Sequence, residues 1–303
     1  MSNPDGFSSG FIALVGRPNV GKSTLMNKTV GRKLAIMSDK PQTTRNKITA
    51  ILTTDAAQLI FIDTPGIHKP KHKLGEYMVG VARNVLREVD VVLFLVEAGE
   101  SEVGPGDRYI IEHLKQSETP VVLVINKMDL VENTALLPLI DMYRQAMDFH
   151  DIIPVSALEG ENIQELVGVI TKLLPEGPKY YPDDMITDQP ERAIIKEIIR
   201  EKVLQLTREE IPHAVAVEVE EIKPRKNDLV YVRAVIYTEK QSQKGIIVGK
   251  KGQMLKKIGE LAREDMENLL GSKVYLDLWS KVRKDWRNTA SFLRDFGYDS
   301  REG

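Results

Sequence analysis

Eight consecutive residues near the N-terminus indicate the class of the first domain: Gly16-Arg17-Pro18-Asn19-Val20-Gly21-Lys22-Ser23. They satisfy the P-loop pattern, in which glycines let backbone N–H groups curl around phosphates. An apolar run at 11–15 precedes the loop and a helical pattern at 22–30 follows it, so a helix N-terminus adds its positive end. We expect Lys22 to reach the β- and γ-phosphates and Ser23 to bind Mg²⁺. The pattern predicts a nucleotide site that also includes Thr24.

Short apolar runs alternate with helical patterns over the first half of the chain. The other runs lie at 48–53, 59–62, 91–96, 121–125 and 152–155, and the other helical patterns at 75–88, 106–116, 134–147 and 162–173. Four of the six runs are almost wholly apolar, as expected for strands buried on both faces of a parallel sheet. The five residues that join the second and third runs are too few for a crossover and predict an antiparallel hairpin. We predict an α/β domain with a six-stranded, mostly parallel sheet over residues 1–174.

A second motif, at the end of the fifth apolar run, indicates the base: Asn126-Lys127-Met128-Asp129. Asp129 can accept two hydrogen bonds, from guanine N1–H and from the exocyclic amine, whereas adenine offers no such donor pair. Ser156 and Ala157 follow the last strand and are expected to supply a backbone N–H to guanine O6. Such a site rejects the wrong base because its own polar groups would be left unpaired. With Asn126 and Lys127 bracing the loop and covering the base, the sequence predicts a P-loop GTPase domain that binds GTP and GDP.

Two loop motifs are candidates for sensing the terminal phosphate. Asp63-Thr64-Pro65-Gly66 ends the third apolar run. Asp63 is expected to hold Mg²⁺ through water and Gly66 to offer its N–H to the γ-phosphate, so both respond to its presence. The loop after the first helix carries Gln42-Thr43-Thr44-Arg45. One of its threonine hydroxyls should complete the Mg²⁺ ligands with Ser23.

The second half of the chain has a different order of elements. Prolines and a glycine interrupt residues 175–190, which we interpret as an interdomain linker. Beyond it, over residues 191–303, the patterns predict elements in the order helix (191–206), strand (214–222), strand (229–237), helix (243–248), helix (253–270), strand (273–279) and helix (284–295). This order predicts a small α+β domain.

A Gly-x-x-Gly element lies between the second and third helical patterns of this domain: Gly249-Lys250-Lys251-Gly252. The spacing alone is uninformative, but apolar residues precede it at 246–248 and follow it with helical spacing. Two strands upstream and one downstream complete the arrangement of a type II KH domain, whose loop clamps about four nucleotides of single-stranded RNA. A surface helical hairpin with a solvated basic face is the alternative. The predicted RNA contacts are Gly249, Lys250, Lys251, Gly252, Lys244 and Lys256.

The charge distribution matters more than the total. The formal net charge of −2 over 303 residues argues by itself against a nucleic-acid partner. However, residues 240–259 contain six lysines and no acid, and residues 273–287 contain five basic residues against two acids. This is the local basic surface expected of an RNA-binding domain. Trp279 and Trp286 lie in the second stretch, where they could stack on bases or pack the domain together.

Other sequence features bear on compartment. The absence of cysteine excludes disulfides and thiolate metal sites. The first ten residues lack the pattern of a signal peptide, and no apolar run approaches the roughly 20 residues of a membrane-spanning helix. These features predict a soluble, cytoplasmic protein.

The residues of the five motifs resemble those of the bacterial Era-related branch of translation-factor-type GTPases. The motifs are GRPNVGKS, QTTR, DTPG, NKMD and SA. With the KH-like second half, the resemblance narrows to the Era GTPase family and covers about residues 7–297. It implies that Thr44 binds Mg²⁺ and acts in hydrolysis with Lys22, Asn19 and Gly66. It also implies K⁺ at Asn19, and slow hydrolysis because Ile67 stands where Ras-like enzymes carry a water-orienting glutamine.

The same resemblance implies the partners. They are the 3′ region of small-subunit (16S) ribosomal RNA and the small ribosomal subunit, whose assembly the family assists, with partial association at the inner face of the membrane. No DNA partner is expected, and the chain is expected to be a monomer. Two alternatives remain open at this point: a GTPase that acts on tRNA, and a nucleotide-dependent protein scaffold.

Overall fold

The computed structural model describes residues 6–38, 40, 43–66, 70 and 72–298. The first half contains the strands β1 (Ser8–Gly16), β2 (Ile48–Thr53), β3 (Ala57–Asp63), β4 (Val91–Glu97), β5 (Val121–Asn126) and β6 (Asp151–Pro154). Its helices are α1 (Lys22–Val30), α2 (Lys73–Val85), α3 (Pro105–Leu114), α4 (Asn133–Ala146) and α5 (Ile163–Leu173). The strands form one sheet in the order β2-β3-β1-β4-β5-β6.

All neighbours in this sheet pair in parallel except β2 and β3, which form an antiparallel hairpin. β4 is buried on both faces, since Leu93 packs into one apolar cluster and Phe94 into the cluster on the opposite face. Burial on both faces explains why β4 is apolar throughout rather than alternating. The predicted α/β fold with a six-stranded, mostly parallel sheet is confirmed.

The carboxyl ends of the central strands meet at one edge of this sheet. β1 pairs Leu14 with Asp63 at the end of β3, and β4 pairs Glu97 with Asn126 at the end of β5. Gly16 ends β1 at the same edge. In open α/β sheets this edge is where ligands bind. The register therefore brings together motifs that lie far apart in the sequence.

The second half is an α+β domain with one sheet. Its elements are α6 (Glu191–Leu206), α7 (Ile211–Ala214), β7 (Ala216–Arg225), β8 (Leu229–Thr238), α8 (Gln241–Val248), α9 (Gln253–Leu270), β9 (Lys273–Val282) and α10 (Ala290–Asp295). The sheet order is β7-β8-β9, with β7 antiparallel and β9 parallel to β8. Helices α6, α8 and α9 pack on one face of this sheet and α10 packs on the other. This is the predicted KH fold, and it is confirmed.

Several boundaries in this half differ from the sequence prediction, and two of the differences have a local structural cause. The strand expected from residue 214 begins at Ala216, because residues 211–214 form the short helix α7 with Pro212 in its first turn. Proline suits that position, since the N–H it lacks has no partner inside the helix. The terminal helix expected over 284–295 is a 3₁₀ turn at 286–288 followed by α10. Asp285, in the left-handed region at φ 52°, separates that turn from β9.

The segment 175–190, the predicted linker, contains neither helix nor strand and lies along the first half. The N–H of Ile51 donates to the carbonyl of Ile186 at 2.9 Å, and the hydroxyl of Thr187 donates to the carbonyl of Thr49 at 2.6 Å. These bonds occupy β2, which is an outer strand of the sheet. The segment therefore covers a sheet edge that would otherwise expose unpaired backbone groups.

The two halves share an apolar cluster. Leu74 and Met78 of α2 pack in it against residues of the second half, which are Ala216, Val235, Tyr237, Trp286, Leu293, Phe296 and Tyr298. Apolar burial of this kind favours one arrangement of the two halves over free rotation about a linker. Among the described helices, none combines the length and the apolar character needed to cross a bilayer.

Candidate functional site

The loop between β1 and α1 has the backbone that the P-loop pattern requires. Gly21 has φ 98°, and a Cβ there would lie 2.1 Å from Nδ2 of Asn126. Asn19 also lies in the left-handed region, at φ 70°. That region is open to glycine and is tolerated by asparagine better than by most residues. The loop conformation thus explains these two residue types independently of any ligand.

Lys22 is buried at the floor of this loop. Its Nζ donates to the carbonyls of Gly16 at 3.1 Å and Arg17 at 2.9 Å. Burial lowers the pKa of Lys22 to about 8, although the nearby carboxylate of Asp63 acts in the opposite direction. A polyphosphate beside this ammonium would favour its charged form. The side chain is therefore placed and held for an anion.

Three oxygen atoms from three different motifs converge beside Lys22. The hydroxyl of Ser23 donates to Oδ2 of Asp63 at 2.6 Å, the hydroxyl of Thr44 donates to the same oxygen at 3.0 Å, and the two hydroxyls are 3.1 Å apart. Oδ1 of Asp63 is buried and has no hydrogen-bond partner among the described residues. Burial raises the pKa of Asp63, against the neighbouring ammonium of Lys22 and both hydroxyls. This set of hard oxygen donors around an unsatisfied carboxylate fits Mg²⁺.

Asn126 connects the loops around the predicted base position. Its Nδ2 donates to the carbonyl of Val20 at 2.8 Å, and its Oδ1 accepts from the N–H of Ala157 at 3.0 Å. One amide thus holds the P-loop and the loop after β6, which is the bracing role predicted for it. The N–H of Ala157, predicted to contact guanine O6, is used in this brace. Lys127 has φ 65° and its Nζ donates to Glu97 at 2.6 Å.

A cleft of about 270 Å³ collects most of the predicted residues. It is lined by Pro18, Asn19, Gly21, Lys22, Ser23, Thr24, Thr44, Gly66, Asn126, Lys127, Asp129 and Ala157. Among the described site residues, the ones outside this lining are Gly16, Arg17, Val20, Asp63 and Ser156. Arg17 contributes its carbonyl to Lys22, while its side chain turns to α3 and donates to Asp107 at 3.0 Å. Ile67 lies outside the described residues.

Gly66 lies directly against the P-loop. A Cβ at this position would come within 2.9 Å of the backbone nitrogen of Pro18. Only glycine allows the end of the Asp63–Gly66 motif to approach the P-loop backbone this closely. Since Thr64 also donates its hydroxyl to the carbonyl of Leu14 at 2.8 Å, the motif is fastened to β1 on one side and meets the P-loop on the other.

Sequence reasoning missed three exposed apolar side chains of the cleft. Met37, Leu130 and Leu158 line it and are 38%, 73% and 68% exposed. A single exposed side chain of this kind is ordinary, but three at one cleft form an exposed apolar patch, which is typical of a binding site. Leu130 directly follows Asp129 and Leu158 directly follows Ala157, so an apolar residue after each base-reading motif was the available signal. Their position suits contact with the faces of a planar base.

The Gly249–Gly252 loop joins α8 to α9 in a backbone that explains both glycines. Gly249 has φ 69°, and a Cβ there would lie 2.7 Å from the Cβ of Met254. Gly252 has φ 79° and its N–H donates to the carbonyl of Gly249 at 3.2 Å. Lys250 and Lys251 between them are exposed. The loop therefore presents two cations on a tight backbone, as a phosphate clamp requires.

An open groove of about 470 Å³ begins at this loop and runs between α9 and β9. Of the predicted RNA contacts, Gly252 and Lys256 line it. The sequence did not indicate its remaining lining, which is Leu255, Gly259, Glu260, Arg263, Val274, Tyr275, Leu276 and Leu278. Its apolar floor with cations at the rim matches a site for single-stranded RNA, whose bases need stacking surfaces and whose phosphates need cations.

The two tryptophans of the basic stretch separate into different environments. Trp286 is fully buried in the cluster between the halves, and its Nε1 donates to the carbonyl of Ala214 at 2.9 Å. Trp279 is 52% exposed on β9, with its Nε1 donating to Asp277 at 2.7 Å. Stacking on bases is therefore excluded for Trp286 in this arrangement of the two halves and sterically open for Trp279.

The residues on either side of Thr44 contact the second half. Arg45 is buried, and its guanidinium donates to the carbonyl of Val215 at 2.6 Å and lies 5.6 Å from the ring centre of Trp286. The carbonyl of Thr43 accepts from the guanidinium of Arg200 on α6. The backbone at Thr44 is thus clamped to the second half at both neighbours.

Two family models match separate parts of the chain. The model described as "50S ribosome-binding GTPase" matches residues 11–127, and the model described as "KH domain" matches residues 210–287. The first match contains the P-loop, both phosphate-sensing motifs and the start of the base-reading motif. The second contains the Gly249–Gly252 loop and the α9–β9 groove.

Two solved structures resemble the whole chain. One is Aquifex aeolicus Era bound to GDP·AlF₄⁻, and the other is Era in complex with MgGDPNP and nucleotides 1506–1542 of 16S ribosomal RNA. Each is 44% identical to this chain, with a TM-score of 0.94, over 96% of this chain and 99% of the other. Identity at this level, across both halves in one continuous alignment, means that the chain belongs to the Era family of GTPases.

Proposed function

We propose that this protein is a GTP-binding and GTP-hydrolysing switch that binds small-subunit (16S) ribosomal RNA and assists assembly of the small ribosomal subunit. The observation that carries the proposal is the position of Thr44. Its hydroxyl belongs to the oxygen cluster suited to Mg²⁺, and its two sequence neighbours bond the RNA-binding half. A ligand at Thr44 can therefore influence both halves.

At the nucleotide, the proposed roles follow the geometry. Lys22 holds the β- and γ-phosphates together with the P-loop N–H groups, and Ser23, Thr44 and Asp63 hold Mg²⁺, which supplies positive charge to the phosphates when bound. Asp129 accepts from the guanine edge. These roles are supported by the shared cleft of Lys22, Ser23, Thr44 and Asp129.

For hydrolysis, the described residues contribute positioning and charge. Lys22, Thr44 and Gly66 surround the expected γ-phosphate position, and Asn19 lies in the P-loop where a K⁺ ion would offset charge that develops between the β- and γ-phosphates. Such preorganised charge lowers the barrier without a covalent step. We therefore propose a slow intrinsic rate that depends on the monovalent cation.

The RNA contact is proposed for the Gly249–Gly252 loop and the α9–β9 groove. Lys250 and Lys251 meet phosphates, and Lys256 lies at the groove itself. Lys244 on α8 is half-buried and extends the basic surface behind the loop. The solved Era complex with nucleotides 1506–1542 of 16S ribosomal RNA supports the choice of this RNA over tRNA. We place this activity in the cytoplasm, where ribosomal subunits assemble.

The test uses the full-length protein with that RNA fragment. We expect saturable binding of nucleotides 1506–1542 of 16S ribosomal RNA, weaker binding of a shuffled RNA of equal length and of tRNA, and hydrolysis of GTP but not of ATP. Equal affinity for tRNA would favour the alternative of a GTPase that acts on tRNA. Absence of any RNA binding would leave the scaffold alternative.

A further inference from the structure

The second sheet has a partly exposed face on the side opposite α6, α8 and α9: Val235 and Tyr237 of β8 are buried there against α10, whereas the other end of β8 is more exposed. On β8, Val232 packs into the core that contains Ile258 of α9. Because successive side chains of a strand point to opposite faces, the neighbouring Tyr231 lies on the outer face. On β9, Val274 belongs to the core in the same way, which places Tyr275 on the outer face beside Tyr231.

Three side chains from three successive strands form a stack on this face. Tyr231 and Tyr275 are paired in register, with ring centres 5.9 Å apart and planes inclined by 13°. The guanidinium of Arg225, on β7, lies 5.0 Å from the ring centre of Tyr231. Since β8 lies between β7 and β9, the order across the sheet is Arg225, Tyr231, Tyr275. We name these three residues the aromatic ledge.

The aromatic ledge reaches the edge of the sheet, where it meets the α9–β9 groove. Tyr275 lies on β9, the outer strand, and is 60% exposed. It lines both the α9–β9 groove and an open depression of about 890 Å³ on the outer face. The groove and the depression are thus continuous at one aromatic side chain, and the stack has room for another ring at this end.

The chemistry of the depression suits a nucleic acid. Its lining is Pro224, Arg225, Lys226, Leu229, Tyr231 and Tyr275, which includes two cations and no acid. The acids nearby on this face are paired: Glu221 contacts Lys223, and Asp277 accepts from the hydroxyl of Tyr231 at 3.0 Å. Aromatic faces combined with backbone-directed cations bind unpaired nucleotides with little sequence preference.

We propose that the aromatic ledge is a second RNA contact. An unpaired nucleotide that leaves the α9–β9 groove stacks its base on Tyr275, and the nucleotides that follow cross the outer face toward Arg225 and Lys226. The occupant is the single-stranded RNA that flanks the segment clamped at Gly249–Gly252. This proposal rests on the proposed RNA-binding function and extends the footprint beyond the about four nucleotides of a KH loop.

Tyr231 provides the sharpest test because, unlike Tyr275, it belongs to the depression and not to the groove lining. The probes are nucleotides 1506–1542 of 16S ribosomal RNA and its shortest truncation whose binding still depends on Lys250. We expect Tyr231→Ala to weaken binding of the long probe, because Tyr275 loses the ring on which it is stacked beneath the base. The loss should reach at most that of one base–aromatic stack, about 5- to 150-fold, and binding of the truncation should be unchanged. Tyr231→Phe should retain the affinity.

Charge is tested separately from stacking. Replacing Arg225 and Lys226 by glutamine should flatten the log–log salt dependence for the long probe by about 1.4, since two phosphate contacts are lost. The matched control replaces Lys115 and Lys172, two exposed lysines of the first half, by glutamine and should leave the slope unchanged. Tyr109→Ala, at a partly exposed aromatic on α3, is the control for Tyr231→Ala.

The outcomes separate this proposal from the proposed function. If Lys250 variants weaken binding of both RNA probes and Tyr231→Ala weakens binding of neither, the ledge proposal is wrong and the proposed function stands. An equal loss for both probes would place the effect of Tyr231 in the groove and also overturn the ledge. If Tyr231→Ala lowers binding to anionic vesicles with RNA affinity unchanged, the ledge is a lipid contact. Absence of RNA binding by the wild type would overturn both proposals.

Discussion

Asp129 is the residue on which base choice depends. It lines the cleft between the brace at Asn126 and the exposed side chain of Leu130. We predict that Asp129→Asn weakens GTP binding by at least about a hundredfold, because two charge-assisted hydrogen bonds of about 1.5–3 kcal/mol each are lost or inverted. The same variant should bind xanthosine triphosphate better than the wild type does, since that base presents the complementary edge. Titration calorimetry with GTP and with xanthosine triphosphate measures both affinities.

The control for this variant is Asp141→Asn, an equal change of charge at an exposed position of α4. It should leave both affinities unchanged. A GTP affinity for Asp129→Asn equal to that of the wild type would mean that Asp129 does not contact the base.

Asn19 carries a second prediction at the residue scale. Hydrolysis of GTP should be faster in K⁺ than in Na⁺ at equal ionic strength, because a K⁺ ion held at the P-loop would offset charge that develops in the transition state. Asn19→Ala should remove the difference between the two salts, and GTP affinity should fall much less than the rate. Single-turnover rates in KCl and NaCl measure this, and equal wild-type rates would contradict it.

At the scale of elements, the Gly249–Gly252 loop is the predicted phosphate clamp. Lys250→Asp with Lys251→Asp should abolish binding of the 16S fragment while GTP affinity stays unchanged. In milder double variants that still bind, the log–log salt slope should fall by about 1.4 for a single strand. Lys115→Asp with Lys172→Asp makes the same change of charge on the first half and is the matched control. Unchanged RNA affinity in the loop variant would mean that the Gly249–Gly252 loop is not the RNA contact.

The structure also shows which features could be predicted from the sequence. Fully buried strands such as β4 were predictable because burial on both faces leaves an uninterrupted apolar run. The short helix α7 was not predictable, since four residues give no periodicity. Motif residues that line the cleft were found through fixed spacing, whereas Leu130 and Leu158 lie directly after the motifs, and only the folded loops show that they line the cleft. Tyr275 was missed for the same reason.

Contacts between the halves were beyond sequence reasoning. Arg45 follows Thr44 in a recognisable motif, yet its partners are carbonyls of α7 and of the residue after it, at Pro212, His213 and Val215. Every residue has a backbone carbonyl, so the sequence does not show which carbonyls accept a hydrogen bond from Arg45. Burial lowers the pKa of the Arg45 guanidinium, and its position on the ring of Trp286 explains why one of the two tryptophans is structural.

At the scale of the whole molecule, these contacts connect the two halves, and we predict that they couple nucleotide binding to RNA binding. Thr44, the proposed Mg²⁺ ligand, lies in a loop that is bonded to the second half through Thr43 and Arg45. A second contact, from Lys33 to Glu201 at 2.6 Å and Asp265 at 3.0 Å, also joins the halves. Lys33 is not a sequence neighbour of Thr44. Its contacts can therefore hold the halves together without depending on whether the γ-phosphate is present.

The last prediction uses the difference between Arg45, which is next to Thr44, and Lys33, which is not. RNA affinity of the wild type should differ between the GDP form and a form with a non-hydrolysable GTP analogue by about 5- to 150-fold, the range of about 1–3 kcal/mol typical of coupled sites. Arg45→Met should reduce this ratio toward one, whereas Lys33→Met should retain it although both remove a contact between the halves. Thermal unfolding of each variant checks that the fold is intact.

Thermodynamic linkage supplies an independent measurement of the same quantity. Whatever factor the GTP analogue adds to RNA affinity, RNA must add to the affinity for that analogue relative to GDP. Nucleotide titrations with and without the 16S fragment should therefore return the same ratio, and Arg45→Met should lower both ratios together. A wild type with indistinguishable RNA affinities in its two nucleotide forms would be two tethered modules, and Thr44 would then bind its ligand without consequence for the RNA.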